Sequence, residues 1–346
     1  MKRILVLYRE LAGYFVECLN HLCEKYDVEA VVVAYPVHAD APFHFKLSGK
    51  IQLIDRKEAT LSTLKSLTND DKFDLIFCGG WGDKEYLEAL KSKKTTALLG
   101  FDNQWNGSLK HQMSALYGRI AIKPLFDYAF VPGEKQKKFA KHLGFSLDKI
   151  IRGAYSCDVP RFASVYEFRK KSSLNGPKKL IYAGRYAEEK FIQQLCSLMK
   201  QLRETGKTKW ELHCVGKGPL WDQRIEADGI FHHGFMQPES LFEFMKNGDA
   251  FILPSTFEPW GVVVHEFAAA GYPMILSSAI GAAEKFLVHN ENGYLFESGN
   301  VLELEKTLIA LFEQSSENLN KMGEKSAVLA KQITPDTWAK SLYAIM

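Results

Sequence analysis

The sequence predicts an α/β protein in two halves, each a mostly parallel sheet covered by helices on both faces. Short apolar runs alternate with longer amphipathic stretches through most of the chain, the rhythm of strands linked by helical crossovers. That rhythm breaks once, in a polar, turn-rich stretch near the middle. The 346 residues suit two domains better than one.

In the first half, "RILVLY", "VEAVVVAY", "DLIFCGG", "TALLGFD" and "YAFVPG" read as buried strands. Between them "YFVECLNHLCEKY", "DKEYLEALKSKK", "LKHQMSALYGRIAI" and "EKQKKFAKHLG" read as helices. The pattern weakens through "SCDVPRFASVYEFRKKSSLNGPKK", where Asn175-Gly176-Pro177 marks a turn. This places a first domain at 1–158, a linker at 159–177 and a second domain at 178–333. In the second half "KLIYAG", "WELHCVG", "GIFHHG", "DAFILPS" and "YPMILSS" read as strands. "EEKFIQQLCSLMKQLRE", "PESLFEFMKN" and "VVVHEFAAAG" read as helices, with Gly271 as a helix stop. A last helix, 334–346, starts with Thr334 as N-cap and Pro335 at its first position.

Composition narrows the function. Hydrophobic residues make up 46% and charged residues 25% of the chain, an ordinary globular balance. No apolar run approaches the ~20 residues of a membrane span, and the five apolar residues before Arg9 are too few for a secretory signal. Six scattered cysteines form no CxxC pair, so the expectation is reduced thiols, no zinc and a cytoplasmic protein. The net charge of +3 hides an asymmetry: residues 1–177 carry 27 Lys+Arg against 20 Asp+Glu, and the remainder 17 against 21. No nucleic-acid-binding pattern accompanies the basic half. Its segment "LKHQMSALYGRIAIKPLF" mixes Leu109, Met113, Leu116 and Ile120 with Lys110, Arg119 and Lys123. Either it is an ordinary amphipathic helix packed on the core, or it rests on an anionic membrane, at the inner face in a cytoplasmic protein.

Ligands of open α/β sheets bind beyond the carboxyl ends of the strands, so residues that follow strands carry the argument. In "EPWGVVVHEFAAAG", Glu266 stands inside a nearly all-apolar helix and Glu258 just before it. A buried unpaired carboxylate costs several kcal/mol. Either Glu266 pairs internally with a lysine or His265 while Glu258 caps the helix, or both hold hydroxyls of an extended, polyhydroxylated ligand. Eight residues of helix span about 12 Å, close to the length from ribose to hexose in a nucleotide sugar.

After "LIYAG", Arg185 and Lys190 put two cations at a helix mouth, suited to a diphosphate unless Glu188 and Glu189 neutralise them. Gly216 and Gly218 in "CVGKGPL" allow a tight turn but lack the third glycine of a dinucleotide fingerprint. "SSAIGAAEKF" sets Gly281 and two alanines where backbone amides could meet a phosphate. Gly13 follows the first strand, and Asp102 follows "TALLGF". His232 and His233 read as structural histidines at a strand end. No Asp-x-Asp occurs, so no acidic pair is expected to clamp a metal against a diphosphate.

Taken in order, "GRYAEEK", "VGKGPL", "FILPSTFEPWGVVVHEFAAAGYPMILSS", "GAAEKFL" and "ENGYLF" resemble the retaining glycosyltransferases of family 4 (glycosyl transferases group 1). The resemblance is strong over 178–297 and weaker over 1–155. It implies the type B glycosyltransferase (GT-B) fold: two Rossmann-like domains facing a central cleft, with the C-terminal helix crossing back to the first. It also implies hexose transfer, without a metal or cofactor, from a nucleoside-diphosphate sugar to a glycan or lipid-linked acceptor in polysaccharide or glycoconjugate synthesis.

By position, Arg185 and Lys190 would bind the diphosphate and Glu266 the ribose. Glu258 would contact the donor sugar, with the backbone of Pro259, Trp260, Gly261 and Val262 beside it. Gly184, Gly216 and Gly13 would line the donor site, and Phe231 would lie near the base. Asp102 stands where many members carry a sugar-contacting histidine, so Arg185, Lys190, Glu258 and Asp102 form the expected catalytic set. Phe191 replaces the usual glycine after the lysine, and Ala12-Gly13 the usual double glycine. The alternatives are a phosphorylase or epimerase on the same fold, or a non-catalytic nucleotide-sugar-binding partner.

Overall fold

The computed structural model describes residues 1–36, 44, 46–171 and 176–346. The chain divides into two compact units, residues 1–157 with 333–346, and residues 158–332.

The first unit runs β1 (Lys2–Glu10), α1 (Gly13–Lys25), β2 (Val28–Tyr35), β3 (Ile51–Asp55), α2 (Leu61–Thr68), β4 (Leu75–Gly79), α3 (Lys84–Leu90), β5 (Ala97–Gly100), α4 (Leu109–Ala121), β6 (Tyr128–Val131), α5 (Glu134–His142) and β7 (Ile150–Arg152). Its strands form one parallel sheet in the order β3-β2-β1-β4-β5-β6-β7. Chain order reverses between β1 and β4, which opens a crevice beyond their carboxyl ends. The central strands are buried on both faces, and two apolar clusters sandwich the sheet.

The second unit contains α6 (Val159–Lys171), β8 (Lys179–Ala183), α7 (Ile192–Glu204), β9 (Glu211–Val215), β10 (Ile230–Gly234), α8 (Pro238–Met245), β11 (Ala250–Leu253), α9 (Val262–Ala269), β12 (Met274–Ser277), α10 (Ala283–Phe286), β13 (Gly293–Phe296), α11 (Val301–Phe312) and α12 (Ser316–Ala330). Its parallel sheet has the order β10-β9-β8-β11-β12-β13, with the reversal between β8 and β11.

The last helix, α13 (Pro335–Tyr343), begins with a Thr334–Thr337 capping box and Pro335 in its first turn. It packs within the first unit against α1. Trp338 is fully buried, stacks edge-on against Phe15 and donates its indole N–H to the Ala154 carbonyl at 2.9 Å. Asp336 accepts from Lys25 at 2.6 Å, in the last turn of α1, and from Tyr26 at 2.9 Å, just past it.

Two segments differ from expectation. Residues 159–171, expected as linker, form α6 and join the second unit; Asn175 lies outside the described residues. This helix buries few apolar side chains and is held by polar contacts instead. Arg169 donates to the carbonyls of Ala270 and Gly271, both at 2.8 Å, and lies over the Tyr272 ring. The helix expected from Glu188 is interrupted: residues 188–190 form a 3₁₀ turn, Phe191 adopts φ +57°, and α7 begins at Ile192.

Candidate functional site

In the second unit the reversal between β8 and β11 brings two loops together. The backbone after β8 turns through Gly184, where an added Cβ would lie 2.9 Å from the Tyr182 hydroxyl. The Gly216 backbone, at φ +130°, sits against it: a Cβ there would lie 2.0 Å from the Gly184 carbonyl oxygen. A Cβ on Gly218 would lie 2.5 Å from the Tyr186 carbonyl oxygen. The paired glycines of "CVGKGPL" thus serve backbone-to-backbone packing between neighbouring strand ends, which needs no third glycine.

That packing aims the next turn. Tyr186 donates its amide to Lys217 at 3.0 Å, and the Tyr182 hydroxyl donates to the Arg185 carbonyl at 2.8 Å. Arg185 extends into solvent and pairs with Glu189 at 2.6 Å. Lys190 turns inward and donates to the carboxylate of Glu258, both side chains being mostly buried. The main chain links the same loops, with the Thr256 amide donating to the Glu189 carbonyl at 2.7 Å. The positive φ at Phe191 lets the chain leave this turn into α7, so the conformation that favours glycine is kept without one.

The loop from Glu258 to α9 is tied on its other side to the loop after β12. Glu258 bridges to Ile280, the Gly281 amide donates to the Glu258 carbonyl at 3.1 Å, and the Ala282 amide to Trp260 at 2.9 Å. Gly281 and its alanines therefore brace the Glu258 loop. Pro259 precedes Trp260, which is buried; its indole N–H has no hydrogen-bond partner among the described residues. Gly261, at φ +91°, turns the chain into α9, and no side chain caps that helix, leaving first-turn amides at Val262 without intrahelical partners.

Glu266 lies one turn further along α9. It is half-buried, and among the described residues its carboxylate makes no hydrogen bond or ion pair. Burial pushes its pKa up to about 7, against the pull of Arg161 on α6. The internal partners expected for it are engaged elsewhere or elements away: His265 bonds the Ala330 carbonyl at 2.8 Å and stacks on Phe286. Glu258 does not cap α9; the N-cap is Gly261. Arg161 is the neighbour that sequence reading missed, because it lies in the stretch taken for linker.

Phe231, on edge strand β10, is exposed and stacks on His213 at 4.8 Å between ring centres. His232 meets the Tyr186 hydroxyl at 2.7 Å, and His233 meets His213 at 3.0 Å. Both are framework residues, as expected.

In the first unit Gly13 opens α1, which has no side-chain cap. Asp102 follows β5 and borders a cavity of about 230 Å³ at the sheet's reversal point, lined also by Tyr8, Phe77, Phe101 and Tyr155. Burial, with the Asp102 charge behind it, pushes the Tyr155 hydroxyl well above its ordinary value. This aromatic wall gave no sequence signal, since its members come from four separate segments.

All six cysteines are buried thiols. Among the described residues no group of three or more His, Cys, Asp or Glu could hold a metal, and no helix is long and apolar enough to cross a membrane.

Residues 165–328 match the family described as Glycosyl transferases group 1. An uncharacterized glycosyltransferase of Methanocaldococcus jannaschii is 30% identical over 134 residues, 36% of this chain and 34% of that protein. A glycogen synthase of Mycobacterium tuberculosis is 30% identical over 142 residues, 38% of this chain and 33% of that protein. The chain thus aligns with about a third of the length of these curated relatives. The structure of Anabaena HepE in complex with UDP and glucose superposes with a TM-score of 0.74 at 14% identity, over 99% of both chains. The chain therefore has the two-domain fold of GT-B glycosyltransferases throughout, and over residues 165–328 the sequence pattern of Glycosyl transferases group 1.

Proposed function

We propose that the protein transfers a hexose from a nucleoside-diphosphate sugar to a hydroxyl of a glycan or lipid-linked acceptor, with retention at the anomeric carbon and without a metal. The observation that carries the reading is Glu266: a half-buried carboxyl, without a protein partner among the described residues, one turn inside an uncapped helix. Two ribose hydroxyls would supply the missing donors. Arg185 and Lys190 would meet the diphosphate. Lys190 already sits on Glu258, so a sugar hydroxyl bound to Glu258 and a phosphate bound to Lys190 would lie side by side. Gly184, Gly216 and the amides from Pro259 to Val262 would let the ligand approach the backbone closely. Phe231 would border the base.

In the reaction, the bond from the anomeric carbon to the diphosphate oxygen breaks. The acceptor oxygen bonds that carbon on the same face, and its proton passes to the departing phosphate oxygen. The cations stabilise charge on that phosphate, a contribution worth roughly 10²–10³-fold in rate. We assign acceptor binding to the first unit, with Asp102 as the polar group at its aromatic cavity. The relatives' names and the UDP and glucose held by HepE support the donor class.

The test is a panel of UDP-, GDP-, ADP- and dTDP-sugars. One member should raise the melting temperature and be slowly hydrolysed in the absence of acceptor. Stabilisation with neither hydrolysis nor transfer would make the protein a non-catalytic binder. Faster reaction with inorganic phosphate than with any sugar acceptor would make it a phosphorylase.

A further inference from the structure

Helix α4 is amphipathic in the wrong direction for a core helix. Its buried face carries small side chains and an imidazole: Ala115 and Gly118 are buried, and His111 lies flat on Phe139 of α5. Gly118 fits closely there: a Cβ would lie 2.5 Å from a terminal methyl of the Leu143 side chain. The large apolar residues point the other way. Leu109 is 77% exposed, Met113 73%, Leu116 63% and Ile120 72%, with Tyr117 beside them at 68%. At about 100° per residue, these form a single stripe opposite the buried one. The alternative of an ordinary core helix is therefore corrected: the core takes the small residues, and the Leu-Met-Ile stripe is uncovered among the described residues.

The charge around the stripe has one sign. Lys110 and Arg119 are exposed on its two sides, and Lys123 follows the helix. Between Asp102 and Asp127 the sequence contains no acidic residue, and Asp127 is paired with Lys93 at 2.7 Å. The adjoining α5 adds exposed Lys138 and Lys141, and its one acid, Glu134, is already paired with Lys137 at 3.4 Å and with Arg152.

We infer that α4 is an interfacial helix that docks the first unit on an anionic lipid bilayer. The apolar stripe enters the acyl boundary while Lys110, Arg119 and Lys123 meet acidic headgroups, the arrangement such helices require. A second copy of the chain is the weaker occupant, because pairing two α4 helices would bring their cations together with no acid between them. This inference goes beyond the proposed sugar transfer and does not depend on it.

The experiment is co-sedimentation of the full chain with phosphatidylcholine vesicles, with and without admixed phosphatidylglycerol, at low and high salt. Binding is expected to the anionic vesicles and to weaken as salt rises. Leu116→Asp combined with Ile120→Asp should lower partitioning at least about tenfold. Lys110→Gln and Arg119→Gln should each lower it roughly fivefold. Because these side chains face outward, the variants should keep the wild-type melting temperature, and donor-induced stabilisation reads the sugar-transfer proposal separately. Three results would each overturn the inference: no binding to anionic vesicles, equal binding to neutral ones, or a dimer in solution that Leu116→Asp dissociates while vesicle binding is absent.

Discussion

Replacing Glu266 with glutamine removes a charge and keeps the shape. In the folded chain its pKa is raised from 4.5 to about 7. Below about pH 4.5 the carboxyl is neutral whether the chain is folded or not, and it costs nothing. As the pH rises through the window from 4.5 to 7, the unfolded chain ionises first, so folding must take up a proton and stability falls. Above pH 7 the full cost of keeping a carboxylate there is present. At 1.36 kcal/mol per unit the ceiling is about 3 kcal/mol, and partial solvent contact reduces it to about 2 kcal/mol. Glu266→Gln should therefore melt about 4–8 °C above wild type near pH 8.5, with no difference near pH 4.5.

A donor whose ribose hydroxyls bond the ionised form must expel the proton. UDP-glucose, the first probe, should then bind wild type about tenfold more tightly at pH 8 than at pH 6. Its diphosphate does not titrate in that range. The glutamine variant should bind about 10–100-fold more weakly at high pH and lose the pH dependence. Thermal scans and isothermal titration read the two effects. A stability gain that is the same at both pH values, or a donor affinity that stays flat in wild type while a donor demonstrably binds, would refute the reasoning.

The cations should separate stability from rate. Arg185 is exposed, so Arg185→Ala should leave the melting temperature within about a degree but lower turnover roughly 10²–10³-fold. Lys190→Met should lower turnover comparably and also destabilise by about 1–3 kcal/mol, because its pair with Glu258 is mostly buried; denaturant titration beside steady-state kinetics checks both. Gly216→Ala meets the Gly184 carbonyl oxygen and should cost more than about 2 kcal/mol or force the Arg185 turn out of place, whereas Gly206→Ala, whose Cβ would meet open space, should pay only the left-handed strain of about 1 kcal/mol. Trp338→Ala should cost about 3–5 kcal/mol in the first unit, seen as an earlier transition, while donor-induced stabilisation of the second unit persists.

Much of this fold was legible because its strands are buried on both faces and so read as unbroken apolar runs. Central strands β1, β2, β4, β8 and β11 announce themselves that way. Strand β3 did not: it is an edge strand with exposed Gln52 and Leu53. Nor did β7, only three residues long with exposed Arg152. Helix α6 was lost for a different reason. Arg169 holds it through carbonyls and an aromatic face, and sequence periodicity records apolar burial, not such bonds.

The candidate site was legible in kind but not in pairing. Glu258, Glu266, Arg185 and Lys190 could each be picked out by charge placed after an apolar run. That Lys190 selects Glu258, while Arg185 selects Glu189 and remains in solvent, depends on the 3₁₀ turn and the left-handed Phe191, which reverse the direction of two neighbouring side chains. The same limit explains α4. Hydrophobic periodicity marks a face but not which way it points. That was decided by Gly118 and Ala115, whose smallness lets α5 and Leu143 come close and turns every large apolar residue of the helix outward.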